Sequence, residues 1–171
     1  MTETIKVIIP AYNEAKSIGK VIKALPSFVN EIIVVDNCST DETAINAQKL
    51  EATVLKEIKS GYGNACLKGV NYINEQKTRT DIVVFIDGDY SDYPEELTKI
   101  IAPIIEKDID FVIGARVKNL RAKGSMQPQQ IFGNWLATFL MRVFFKSRFT
   151  DLGPFRAIKH DVLQSLKMQD P

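Results

Sequence analysis

Short runs that are apolar almost from end to end recur along this chain, and between them apolar residues return at every third or fourth position. Ile5–Pro10 reads IKVIIP and Glu31–Asp36 reads EIIVVD; TVLKEI, DIVVFID and DFVIGAR follow at intervals. Runs this short, with so little polar alternation, fit strands covered on both faces. In the first interval Ile18, Val21, Ile22 and Leu25 make one helical stripe, with Asn13 as its expected N-cap and Pro26 as its end. In the second, STDE at Ser39–Glu42 has the form of a capping box. GYGNACLKGVNYI reads as a glycine turn and a helix with Cys66, Val70 and Ile73 on one side. In YPEELTKIIAPIIEK, Pro94 falls near N1 and Leu97, Ile100, Ile101, Ile104 and Ile105 share a face; Pro103 inside that stripe predicts a kink or a break. Strands alternating with helices imply an α/β fold, a mostly parallel central sheet with helices on both faces.

The length of 171 residues, with 45% hydrophobic and 25% charged composition, is expected of a single domain spanning 1–171 with a sizeable core. A formal charge of +1 supplies no general field to attract nucleic acid, which is not expected as a partner. Cys38 and Cys66 form no CxxC pair, so a reducing, cytoplasmic setting is expected. MTETIKVIIP has neither a basic segment nor a long apolar run, so no signal peptide is expected. Nowhere does the chain reach the roughly 20 apolar residues that span a bilayer.

The charge pattern carries the functional argument. In a covered parallel sheet, ligands sit beyond the C-terminal strand ends, near the point where strand order reverses. The first strand ends in Pro10, Ala11, Tyr12 and Glu14, the second in Asp36, the fourth in Asp87 and Asp89. Parallel strands bring all of these to one edge. Carboxylates gathered there repel one another unless a cation sits among them. Hard oxygen donors suit Mg²⁺ or Mn²⁺, which commonly bridge carboxylates to substrate phosphates. Helix capping, the blander account, explains one acid and not the set.

PAYNE at 10–14, VVDNCSTDET at 34–43, GYGNA at 61–65, DGD at 87–89 and GAR at 114–116 together resemble the ordered motifs of family 2 glycosyltransferases of the GT-A fold, a Rossmann-like architecture. The closest flavour is the dolichyl-phosphate mannose or glucose synthase type. The resemblance implies a metal-dependent inverting transfer of sugar from a UDP- or GDP-sugar donor to an acceptor, a lipid phosphate such as a polyprenyl phosphate or a glycan. It implies that Pro10, Ala11, Tyr12, Glu14 and Asp36 line the base and ribose pocket, that Gly61 and Gly63 lie against the base, and that Asp87 faces ribose and metal while Asp89 ligates the metal. Arg116 would stand near the phosphates and Asp151 would be the acceptor-side base, with Arg156 a phosphate or structural contact.

Two departures bear on the acceptor. Relatives often carry basic residues where this chain has Gln129 and Gln130, which leaves phosphate capture to Arg121, Lys123 or Arg142. Ile131–Phe145 is apolar at 11 of 15 positions. Such a segment either packs on a core or partner subunit, or lies at the cytoplasmic face of a membrane with Arg142 and Lys146 at the head groups (131–146). Relatives also continue past SLKMQDP, so a chain shortened at its C-terminus is expected; a homo-oligomer stays open. VVFIDGD also resembles the strand end of haloacid-dehalogenase-type phosphatases, and a non-catalytic nucleotide-binding domain is the remaining alternative.

Overall fold

A computed structural model describes residues 3–114 and 153–168. Its elements run β1 (Ile5–Ala11), α1 (Ile18–Ala24), β2 (Glu31–Asp36), α2 (Thr43–Gln48), β3 (Thr53–Lys56), α3 (Tyr62–Glu75), β4 (Ile82–Phe85), α4 (Leu97–Lys107), β5 (Phe111–Ile113), β6 (Arg156–Lys159) and α5 (His160–Ser165). The six strands form one sheet in the order β3-β2-β1-β4-β6-β5. β1 pairs in parallel with β2 and β4, and β2 with β3, whereas β6 runs antiparallel to β4. The chain moves outward from β1 to β3, then returns to lay β4 on the other side of β1. The reversal of order therefore falls between β1 and β4.

All seven residues of β1 are buried, because both faces of the strand are covered. Ile5, Val7, Ile9 and Ala11 face one core, with Ile18, Val21 and Ile22 of α1 and Leu97, Ile101 and Ile104 of α4. Ile8 faces the other, with Ile33, Val35, Val83 and Phe85 from neighbouring strands, Ala65 and Ile73 of α3, and Leu163 of α5. The exception is Lys6, whose ammonium is buried at the α3 face. It pairs with Glu31 at 3.0 Å, donates to Thr78 Oγ1 at 3.0 Å and bonds Gln76 Oε1. Burial pushes the Glu31 carboxyl upward, but hydrogen bonds from Lys6, Tyr72 and Gln76 outweigh it and hold the group below the usual range. Its contribution to stability is thus present above the ordinary carboxylate range and fades as pH falls through the lowered value.

Three local expectations are corrected. Ser17, not Asn13, precedes α1; Asn13 takes a left-handed backbone, φ 57°, which asparagine tolerates. STDE makes no capping box, since no side chain caps α2. Pro103 does not break α4, which runs on to Lys107 and stops at left-handed Asp108, φ 56°. The segment Arg156–Lys159, given no element from the sequence, is strand β6.

By internal contacts the chain divides into two compact units, Met1–Val112 with Phe155–Pro171, and Ile113–Pro154. Among the described residues no helix is long and apolar enough to cross a membrane. The apolar segment 131–146 lies outside the described residues.

α3 approaches β1 closely at Gly69, where an added Cβ would stand 2.7 Å from Cγ2 of the fully buried Ile8. A β-branched methyl in a packed core cannot swing away. Overpacking of this kind costs about 1–3 kcal/mol, against about 1 kcal/mol that alanine gains over glycine in a helix. Gly69→Ala is therefore expected to lower unfolding free energy by up to about 2 kcal/mol in urea denaturation, although alanine is the better helix former.

Candidate active site

The site is assembled where β1 and β4 stop. Beyond the last residues of β4 the ladder continues with Ile86 N–H donating to Ile8 C=O at 3.2 Å, and Asn37 N–H donates to Ala11 C=O at 2.9 Å. The DGD segment is thereby laid against the end of β1: a Cβ on Gly88 would stand 3.4 Å from the Pro10 carbonyl oxygen and Ala11 Cβ, and 3.5 Å from Glu14 Cγ. Asp89 Oδ1 accepts from Ser91 N–H at 2.8 Å, and Tyr90 between them adopts φ 61°. A bulky residue takes that conformation only at a cost, of about 1–3 kcal/mol where the surroundings impose it.

The side chains expected to cap α2 instead stitch the PAYNE loop in place. Asn13 N–H donates to Ser39 Oγ at 3.0 Å, and Thr40 N–H donates to Asn13 Oδ1 at 2.8 Å. Glu14 N–H donates to the buried Thr43 hydroxyl at 2.7 Å and Ala15 N–H to Asp41 Oδ2 at 3.1 Å. The Thr43 hydroxyl also donates to Asp41, which holds that carboxyl below its usual range. Glu14 then starts α1 through its carbonyl, which accepts from Ile18 N–H at 2.9 Å, while its carboxylate takes the Ser17 hydroxyl.

Pro10, Ala11, Tyr12, Glu14, Gly61, Asp87 and Asp89 line one cleft of about 370 Å³, together with Asn37, Ser60, Tyr62, Ala65 and Gly88. Asp36 and Gly63 are not among the lining residues. Asp36 ends β2 at the same edge but is buried and accepts from Ser39 N–H at 3.2 Å, shaping the loop behind the cleft. Gly63 lies in the first turn of α3, and it is Gly61 that needs to be glycine, at φ 130°. Arg116 and Asp151 lie outside the described residues, as do Arg121, Lys123, Gln129, Gln130 and Arg142. A second hollow, of about 390 Å³, opens at the opposite rim, where the parallel strands begin. Its one cation, Lys159, is committed to Asp108 and Asp110 at 2.6 and 2.8 Å.

Asn37 is the residue the sequence reading missed most. Its amide donates to the carbonyls of Glu57 and Lys59 at 3.1 and 2.7 Å and its Oδ1 accepts from Gly61 N–H at 2.8 Å. The loop from β3 to α3 is thus hung from the end of β2. An asparagine immediately after a strand-ending aspartate was the available signal. Next to this loop, burial pushes the Cys66 thiol up to about 11, outweighing the nearby Arg156 charge, so the thiol stays protonated at neutral pH. Burial, with the Cys66 and Asp87 charges adding to it, likewise pushes the Tyr62 phenol above its ordinary value.

Comparison with known proteins follows the same lines. The family profile described as glycosyl transferase family 2 matches residues 6–167, and the chain belongs to that family. It is 30% identical over 155 residues to the UDP-N-acetylglucosamine–dolichyl-phosphate N-acetylglucosaminyltransferase of Methanococcus voltae, covering 80% of this chain and 61% of that protein. It is 29% identical over 154 residues to the low-salt glycan biosynthesis hexosyltransferase Agl6 of Haloferax volcanii, covering 86% and 36%. The glucosyl-3-phosphoglycerate synthase of Mycobacterium tuberculosis, solved with Mn²⁺, UDP and glucosyl-3-phosphoglycerate, superposes with a TM-score of 0.74 at 25% identity, covering 96% of this chain and 59% of that one. The fold is therefore GT-A, and the phosphatase reading of VVFIDGD gives way to it. The chain spans about 60% of the length of the first of these relatives.

Because Asn37 satisfies three backbone groups at once, Asn37→Ala is expected to cost about 1–3 kcal/mol in urea unfolding and to speed amide exchange across 57–61. Asn37→Asp should cost more at neutral pH, since a carboxylate would face two carbonyl oxygens.

Proposed function

We propose that this chain is a divalent-metal-dependent inverting hexosyltransferase that takes a sugar from a nucleoside-diphosphate donor, UDP-sugar in preference to GDP-sugar, and passes it to a phosphate-bearing acceptor. The observation that carries this reading is the convergence of PAYNE and DGD on one cleft at the reversal between β1 and β4. The relatives support it: one is named for a UDP-sugar donor and a dolichyl-phosphate acceptor, and another was solved with UDP-glucose, Mn²⁺ and phosphoglyceric acid.

The residues suit the cation. Asp87, Asp89 and Glu14 offer carboxylate oxygens only, the donor type that Mg²⁺ and Mn²⁺ prefer. Among the described residues no three His, Cys, Asp or Glu side chains are placed to hold a metal ion. Asp89 and Asp87 would hold the ion. When bound, the ion would draw negative charge from the leaving diphosphate.

The chain's own residues supply the rest. Tyr12, 61% exposed at the cleft mouth, and the Gly61 backbone offer flat and close-approach surfaces for a base and ribose. Asp36 acts on that pocket through the loop it shapes. Inversion needs the nucleophile on the face opposite the diphosphate. A hydroxyl nucleophile needs a carboxylate to take its proton, the role assigned to Asp151; an ionised phosphate needs none, and Asp151 then positions the acceptor. Arg116 would offset phosphate charge. Segment 131–146 is assigned to contact with a membrane face when the acceptor is a lipid phosphate.

A thermal-shift panel of UDP, GDP and uridine, each with and without Mn²⁺, tests the reading. UDP with Mn²⁺ is expected to raise the midpoint most. Asp89→Ala is expected to abolish the metal-dependent part while keeping the unliganded midpoint, because Asp89 is exposed and outside both cores. Full metal-dependent affinity in that variant would count against the assignment, and binding without sugar turnover would point to the non-catalytic alternative.

A further inference from the structure

The face of α1 turned away from the core is basic along its whole length. Ile18 N–H bonds Glu14 C=O at 2.9 Å and Val21 N–H bonds Ser17 C=O at 3.1 Å, so the helical turn reaches back through Lys16. At about 100° per residue, Lys16, Lys20 and Lys23 then fall within about 60° of one another, opposite the buried Ile18, Val21 and Ile22. Each of these lysines is exposed. Among the described residues none of them takes part in an ion pair. Asp41 borders the segment, but its oxygens are taken by Ala15 N–H and by Thr43.

The helix gains little from this arrangement. Its first turn carries no acid, and cations at that end oppose the helix dipole. Lys16 and Lys20 are four positions apart, where like charges repel. Glutamates among the lysines would solvate the face and relieve that repulsion, yet α1 has none. Nor is the chain as a whole drawn to anions, since its formal charge is +1. Positive charge is thus concentrated on one face where the fold makes no use of it. α2 packs on the same core as α1 and exposes Ile45, which is 50% accessible. Lysines with an exposed aliphatic side chain suit a lipid surface, by attraction to anionic head groups and shallow apolar burial. The stripe also begins two residues after Glu14, which lines the cleft.

We infer that the lysine face of α1 is a docking surface for an anionic lipid bilayer, bringing the cleft to the head groups. The choice of a membrane over another polyanion rests on the lipid-phosphate acceptor in the reading above. This surface works by charge, so it requires anionic lipid and weakens with salt, whereas an apolar stretch such as 131–146 would take neutral lipid as well.

Cosedimentation of the full chain is measured with vesicles of phosphatidylcholine and with vesicles of equal parts phosphatidylcholine and phosphatidylglycerol, at low and high salt. The wild type is expected to bind only the anionic vesicles, and only at low salt. Lys16→Gln, Lys20→Gln and Lys23→Gln together are expected to weaken that binding by about 100-fold, or about 5-fold for each lysine. Lys16→Arg, Lys20→Arg and Lys23→Arg together should keep it, as should Lys68→Gln with Lys77→Gln, on and just after α3. The glutamine triple variant should also keep the wild-type thermal midpoint and its rise with UDP and Mn²⁺. Equal binding to neutral vesicles, or undiminished binding by that variant, overturns the proposal. So does binding to neither vesicle, or an equal affinity for polyglutamate, which marks general attraction to polyanions. In each of these cases a midpoint raised by UDP with Mn²⁺ leaves the glycosyltransferase reading standing. Anionic-vesicle binding that the triple variant loses, in a protein whose midpoint no nucleotide shifts, supports the docking surface and sinks that reading.

Discussion

The reversal of strand order between β1 and β4 governs the rest of this molecule. Among the described residues β1 alone has parallel neighbours that belong to opposite arms of the chain, β2 and β4. The loops leaving β1 and β4 run side by side at this edge, although α1 and α4 pack against the same core. A gap opens there, and what fills its walls is decided by the residues just past each strand. Here those residues are PAYNE and DGD, which meet at Gly88, where an added Cβ would come into van der Waals contact with Pro10, Ala11 and Glu14.

The site is held rigid by polar side chains that serve backbone rather than ligand. Ser39, Asp41 and Thr43 are committed to the loop after β1, and Asn37 suspends the loop before α3. Loops fixed in this way present carboxylates in place before any ligand arrives, which lowers the ordering cost of binding. At the other end of the sheet the buried Lys6–Glu31 pair, with Gln76 and Tyr72 around it, ties β1, β2 and the end of α3 together. The two ends of the sheet thus use buried polarity differently, one to anchor and the other to shape a cleft.

β6 adds what the parallel part of the fold lacks. A strand entering antiparallel brings its N-terminal residue, not its C-terminal one, to the ligand edge. That is why Arg156, more than 60 residues beyond DGD in sequence, stands beside Phe85 and Tyr62. The acids at this edge follow the ends of parallel strands, whereas Arg156 comes from the beginning of an antiparallel one.

Periodicity alone was enough for the strands from β1 to β5, the helical faces of α1, α3 and α4, and the gathering of acids at one rim, since burial on both faces demands unbroken apolar runs and parallel pairing sends every C-terminal end the same way. Local motifs misled where tertiary partners competed for the same side chains: STDE has the composition of a cap, yet N–H groups of the loop after β1 claim the Ser39 and Asp41 oxygens. Likewise Pro103 remains within α4. The replacement of Asp36 by Asn37 at the cleft wall, the strand character of Arg156–Lys159 and the clasp of Tyr62 and Phe85 on Arg156 were decided only in three dimensions. Each depends on which segment lies beside which, and neither spacing nor composition within a single segment encodes a neighbour that distant.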